Sequence, residues 1–422
     1  MSQSISLKHS LIDMIVHVPT LTKRTGKICI SSRIELEKPL PHLPETLWYC
    51  FDEVHEDWLS PRSDGFAATG LLIAMYASED LTIRGSFSPK LAYGLYDYRD
   101  VFHAWKPNLF KRVEIHFDQL KAVPQDNDQT GVATVFSGGV DSFYTLWSHL
   151  PQNQDIPEAR VTHGLFVHGL DLRLDDETNF RAAAQTYAGL FNNLGLELIL
   201  ASTNAYLFSE FRIDWIYFHG APMIGAALLM SPFLRRLYIP SGFPSYTKLV
   251  PLGLSPLTDH LLNTETLDFI HHGAATSRPD KLAVLVDWPV TYHHLRVCAD
   301  KERLDILRNC SSCHKCYRTM TILAILDSLQ KYNNFSQKLT IRDYIRWGLF
   351  THLNVRHARD IRDKAMETRK YKMAFLIQVA IILRRIKQFT LRFFKGMLSE
   401  EQLYRIKRHV YKPDSDVLGG DV

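Results

Sequence analysis

Gly131-Val-Ala-Thr-Val-Phe-Ser-Gly-Gly-Val-Asp-Ser-Phe-Tyr-Thr-Leu-Trp147 is the stretch from which the fold is read. Val132 to Phe136 is apolar and β-branched, as a short buried strand is. Ser137, Gly138 and Gly139 then form a turn with two residues free to take positive φ. Asp141 and Ser142 open a helix that carries Tyr144, Leu146 and Trp147. Strand, glycine turn and helix start together grip phosphate: consecutive backbone N–H groups form a nest, and the helix N-terminus adds partial positive charge. The Ser137 and Ser142 hydroxyls can donate to the same anion. Asp141 would repel a bare phosphate, so it is read as a ligand of the Mg²⁺ that accompanies one.

Downstream, strands and helices alternate, the mark of an α/β chain with a parallel sheet. Strands are predicted at Val161 to His168, Leu196 to Ala201 and Arg236 to Pro240. Helices are predicted at Glu177 to Leu194 and Gly220 to Met230. Ligands of such sheets sit beyond the carboxyl ends of the strands. That rule gathers His168-Gly169-Leu170-Asp171, Thr203-Asn204 and Ser241-Gly242 around the phosphate loop. Asp171 is a candidate ribose or metal contact, whereas His163 and His168 need no special role. Ser241 to Ser255, with Tyr246 and Lys248, reads as a lid or an ordinary surface loop.

Ser137-Gly-Gly-Val-Asp-Ser142 matches the S-G-G-x-D-S motif and resembles the PP-loop ATP pyrophosphatases. The resemblance implies an adenine-nucleotide α-hydrolase fold and cleavage of ATP to AMP and pyrophosphate. ATP would contact Ser137, Gly138, Gly139, Val140, Asp141 and Ser142. The adenine would be read by the backbone of Val167, His168 and Gly169. Thr276 to Lys281 resembles the segment of 7-cyano-7-deazaguanine synthases whose helix-opening lysine faces the phosphates. Lys281 thereby joins Asp141 as a catalytic candidate, and Arg278 is a second cation for the same anion.

Cys298, Cys310, Cys313 and Cys316 are spaced C-x11-C-x2-C-x2-C. Four thiolates suit a closed tetrahedral Zn²⁺ site. An iron–sulfur cluster or sulfur transfer uses the same residue type, and His314 can stand in for one cysteine. A PP-loop followed by this cluster is similar to the 7-cyano-7-deazaguanine synthases, across roughly residues 132 to 320. They turn a deazaguanine carboxylate into an amide and then a nitrile with ATP and ammonia. The chain departs from them in a longer first cysteine gap and in added regions at both ends. In those additions it resembles larger synthase-like proteins of bacterial accessory and anti-phage operons. The acceptor implied is a 7-deazapurine-like small molecule or a protein. The alternatives are a tRNA-modifying PP-loop sulfur transferase and a non-catalytic ATP-binding subunit of a complex.

The chain is expected to divide into an N-terminal α+β domain (1–128), a PP-loop domain (129–320) and a basic helical region (321–422). The polar stretch Lys121 to Thr130 marks the first boundary. In the N-terminal part, Cys29 and Cys50 read as buried, inert thiols. Of 422 residues, 46% are hydrophobic and 22% charged, an ordinary globular composition, and net charge is +4. That charge is segregated. Arg356 to Arg408 holds 15 Lys+Arg against 5 Asp+Glu, a net of +10 that leaves the rest at −6. A nucleic acid, an acidic protein or an anionic membrane is thereby a conceivable partner; a helical bundle with solvated basic faces accounts for the same pattern. Met373 to Leu383, the longest apolar run, is too short to span a bilayer and reads as a buried bundle helix. With no secretory h-region at the start, a cytoplasmic protein is expected.

Overall fold

The computed structural model describes residues 13–123, 129–210, 212–243, 245–298, 307–336, 338–351 and 353–397. Two compact units emerge. The described residues of Met1–Ser137 and Thr145–Ala274 form one, and those of Gly138–Tyr144 and Ala275–Val422 form the other.

The first unit is built on one sheet. Its strands are β1 (Asp13–Val16), β2 (Thr20–Arg24), β3 (Lys27–Glu35), β4 (Thr46–Asp52), β5 (Asp80–Phe87), β6 (Ile115–Leu120), β7 (Gly131–Val135), β8 (His163–His168), β9 (Glu197–Thr203), β10 (Leu234–Pro240) and β11 (Asp268–His272). They lie in the order β11-β10-β7-β8-β9-β4-β3-β1-β5-β6, with β2 paired to β3. From β11 to β9 every pairing is parallel. In chain order that half reads 3-2-1-4-5, a doubly wound Rossmann-like arrangement whose direction reverses at β7. All five residues of β7 are buried, because a central parallel strand is covered on both faces. Strand β11 was not foreseen; Asp268-Phe-Ile-His-His272 shows no alternation and little β-branching.

The helices are α1 (Asp64–Ala77), α2 (Pro89–Trp105), α3 (Val140–Ser148), α4 (Glu177–Asn193), α5 (Tyr206–Ser209), α6 (Trp215–Phe218), α7 (Gly220–Leu228), α8 (Arg278–Leu285), α9 (Thr291–His294), α10 (His314–Ile325), α11 (Ile341–Phe350), α12 (Val355–Glu367) and α13 (Tyr371–Met397). α1 packs against α7.

The expected boundary near residue 128 does not separate two cores. Strand β4 pairs antiparallel with β9, Tyr49 opposite Thr203 and Phe51 opposite Ala201. Asn204 staples the junction: its side chain accepts from Trp48 N at 3.0 Å and donates to Thr46 O at 2.8 Å. Thr203 Oγ1 donates to Trp48 O at 2.8 Å. Thr203 and Asn204, expected among ligand-facing residues, are spent on this seam. One hydrophobic core runs from Met14 to Phe269. The edge of β9 would otherwise expose unpaired backbone groups. A second correction concerns Cys29 and Cys50. They stand directly opposite on β3 and β4 and are joined as a disulfide. Only the strand register brings them together, so linear spacing held no sign of the pairing.

The second unit holds the first residues of α3 and all of α8 to α13, so the expected boundary at residue 320 falls inside α10. That helix starts at His314, where the Cys313 sulfur caps it by accepting from Cys316 N. Helix α13 packs against α11 and α12. It buries Ala374, Ile377, Ala380 and Ile381 but leaves Phe375 67% and Phe389 72% exposed. The run Met373 to Leu383 is therefore not buried all round: a helix on the outside of a bundle hides only the residues of one stripe. The part of the expected helical region beyond residue 397 lies outside the described residues.

Candidate functional site

β7 ends at Val135, and the chain turns through Ser137, Gly138 and Gly139 into α3. Gly138 has φ +74°, a conformation that a side chain would strain. Val140 is fully buried and anchors the first turn of α3. Ser142 Oγ donates to the Gly139 carbonyl at 3.0 Å and Phe143 N to the same oxygen at 3.0 Å. The Gly138 carbonyl accepts from Arg296 N at 2.7 Å.

Asp141, in the first turn of α3, is the centre of an ion cluster. Arg278 Nη2 donates to its Oδ2, and Lys281 Nζ donates to its Oδ1 at 3.0 Å. Both cations lie on α8, three residues apart and hence on one face. Ser277 caps α8 by accepting from Asp280 N, and Pro279 suits its first turn. The Lys281 side chain is only 1% exposed, and its ammonium lies 5.6 Å from the centre of the Tyr144 ring. Burial raises the Asp141 pKa, but Arg278 and Lys281 outweigh it and bring it down to about 2. The carboxylate is thus ionised at every physiological pH.

Two further groups complete the cluster, and sequence reasoning missed both. Arg318 on α10 donates from Nη1 to His357 Nδ1 at 2.8 Å, and His357 lies on α12. Arginine only donates, so His357 accepts at Nδ1. Burial, then the cations Arg318 and Arg278, push the His357 pKa down to about 3, which leaves the ring neutral. Burial and Arg278 lower Arg318 to about 9, opposed by Asp141 and Cys313, so the guanidinium stays charged at neutral pH. Two features could have signalled it: Arg318 lies two residues beyond the last cysteine, and α12 opens with the capping residue Asn354.

The four cysteines converge. Their Sγ atoms all lie within 4.8 Å of one another. Cys298 and Cys313 are 3.9 Å apart, and Cys310 and Cys316 3.8 Å. Four sulfurs at about 2.3 Å around one Zn²⁺ would stand roughly 3.8 Å apart, so the residues fit a tetrahedral ion. The N–H groups of Ser312 and Cys313 donate to Cys310 Sγ at 3.4 and 3.2 Å. Hydrogen bonds from the neighbouring thiols hold Cys310 well below the usual thiol range. Asn309 fastens the two arms, accepting from Val297 N at 2.9 Å and donating to Leu295 O at 2.8 Å. The segment Leu295 to Cys298 thus serves both places: Arg296 pins the glycine turn and Cys298 supplies a sulfur.

Val167, His168 and Gly169 lie in the other unit, at the end of β8. Val167 is core. His168 Nε2 bonds the Arg173 carbonyl at 2.6 Å, and its ring stacks on Phe180 at 4.2 Å. Burial lowers its pKa. Gly169 has φ +92°, and a Cβ there would come within 2.0 Å of Thr203 O. The backbone here is engaged too: Gly169 N donates to Leu172 O at 2.8 Å, and β8 pairs with β9 up to His168 opposite Ser202. His163 packs edge-on to Trp58 and Phe233 at the start of β8, as a satisfied structural histidine does. No helix among the described residues is long and apolar enough to cross a membrane. Compared with protein-family models, curated proteins and solved structures, the chain matches none.

Proposed function

We propose that the chain is an ATP-dependent ligase of the PP-loop type, splitting ATP into AMP and pyrophosphate and activating a carboxylate or amide oxygen for a nitrogen nucleophile. The observation that carries this reading is the charge arrangement at the head of α3: a positive-φ glycine turn, a helix N-terminus, and Arg278 and Lys281 converging on Asp141. A buried lysine and a partly buried arginine converging on one carboxylate make a cationic site, which a di- or triphosphate would suit. The Rossmann-like strand order supports the reading, because β7, where the order reverses, runs straight into this turn.

The residues act by placement and charge. The glycine-turn N–H groups and Lys281 would hold the β and γ phosphates. Arg278 would offset the charge that builds on the leaving pyrophosphate, where fixed donors in a water-poor site are most effective. Both Asp141 oxygens are engaged by cations, so a Mg²⁺ would be held there only together with the phosphates, whose charge it would offset. The four cysteines would hold a structural Zn²⁺ that braces the Arg296 strap and the start of α10. Their mutual closeness favours that role over sulfur transfer. The acceptor is proposed to be a 7-deazapurine-like carboxylate or a protein group.

The test is nucleotide product analysis with Mg²⁺ATP, a 7-deazaguanine carboxylate and ammonium. Wild type is expected to form AMP and pyrophosphate, and Asp141→Ala neither. ADP as product would overturn the reading. Persulfide on the cysteines would move the assignment to a sulfur transferase.

A further inference from the structure

We infer that Arg318, positioned by His357, is a further phosphate ligand of this site, so that the C-terminal helices build part of the pocket for the leaving pyrophosphate. The inference rests on the ATP-splitting reading above.

Three observations carry it. First, Arg318 is held but not used up. Its Nη1 is committed to His357, yet its buried Nε has no hydrogen-bond partner. A buried guanidinium N–H without an acceptor is costly, and a phosphate oxygen is the acceptor such a group suits best. Second, its placement is fixed from both ends. α10 begins at the Cys313 cap and carries Cys316 two residues before Arg318. His357 faces it from α12, and α8, which carries Arg278 and Lys281, packs against both α10 and α12. Third, the groups gathered here are mostly cationic. Arg278, Lys281 and Arg318 are positive, His357 is neutral, and Asp141 is the carboxylate to which Arg278 and Lys281 are bound. Asp280, the acidic residue of α8 itself, is committed to Lys364 at 2.6 Å and to Ser277 Oγ at 2.6 Å.

The role of His357 follows from the same geometry. It accepts one N–H of Arg318 and so fixes that end of the guanidinium. It is a positioning residue that does not itself touch the phosphates.

Isothermal titration of full-length protein with inorganic pyrophosphate in Mg²⁺, and separately with AMP, tests the inference. Arg318→Gln is expected to weaken pyrophosphate binding roughly 10- to 100-fold, as the loss of a charge-assisted hydrogen bond does. AMP affinity and melting temperature should stay near wild type. Arg318→Lys should recover part of the loss. His357→Asn, which keeps an acceptor near Nδ1, should stay within about threefold of wild type, and His357→Leu should approach Arg318→Gln. Pyrophosphate binding unchanged in Arg318→Gln overturns the inference and leaves the ligase reading standing. Equal loss of pyrophosphate, AMP and melting temperature in both Arg318 variants also overturns it, by showing a purely structural residue. No binding of ATP, AMP or pyrophosphate by wild type removes the ligase reading and this inference with it.

Discussion

At the scale of single residues, the cluster around Asp141 should leave a mark on acid stability. The folded-state pKa of Asp141 is depressed to about 2. Its ion pairs therefore contribute above the unfolded-state value of about 3.9 and are lost as pH falls toward 2. His357 has the same sign for a different reason. Its folded pKa is lowered to about 3, so between about pH 6.5 and 3 the unfolded chain binds a proton that the folded chain refuses, and stability drops with pH. Urea unfolding from pH 7 to 4 should show this fall in wild type, and a shallower one in His357→Asn, which cannot take the proton. Equal slopes in the two proteins would show that His357 is accessible to protons. Asp141 was legible in the sequence because the motif is local. Arg318 and His357 were not, because 39 residues separate them and the local signals, the end of the cysteine run and a helix cap, do not say that the two meet.

At the scale of elements, the cysteine arms and α10 form one device. The knuckle Cys310 to Cys313 turns with Ser311 at φ +59°, and Cys313 then caps the helix. Binding of a metal by ligands brought together only in the folded chain is itself folding energy. Cys313→Ser should lose the metal and destabilise this unit by several kcal/mol. Metal content of the purified protein and its melting temperature are the measurements. A variant that keeps both would show that the four sulfurs are not a metal shell. The spacing of the four cysteines was readable along the chain because a C-x2-C turn is local. The Arg296–Gly138 hydrogen bond that ties their strap to the glycine turn was not, because it joins residues 158 positions apart.

At the scale of the whole molecule, part of the segregated positive charge is paired within the helical unit. Lys364 pairs with Asp280, Lys370 with Asp327 at 2.7 Å, and Arg362 donates to Gln378 at 2.8 Å. Lys387 donates to the Leu349 carbonyl at 2.7 Å. These contacts favour a packed bundle over a solvated nucleic-acid arm. The expected outcome is weak tRNA binding that changes little in an Arg384/Arg385/Lys387 triple-alanine variant. Filter binding from low to moderate salt measures it. Micromolar binding that weakens steeply with salt and vanishes in the triple variant would revive the tRNA-modification reading, since each phosphate contact releases counterion.

By itself the sequence determined the features written in short range: the β7–glycine-turn–α3 unit, the alternation that makes the sheet parallel, the cysteine knuckle, and the lysine that opens α8. Each depends on residues within a turn or two of one another, where backbone freedom, periodicity and ligand spacing act directly. Tertiary structure alone decided the rest. The antiparallel seam between β4 and β9, the pairing of Cys29 with Cys50, and the meeting of Arg278, Arg318 and His357 all join distant segments. The physical reason is the same in each case: an exposed strand edge, a buried charge or an apolar stripe fixes what kind of partner it requires, but packing selects which one.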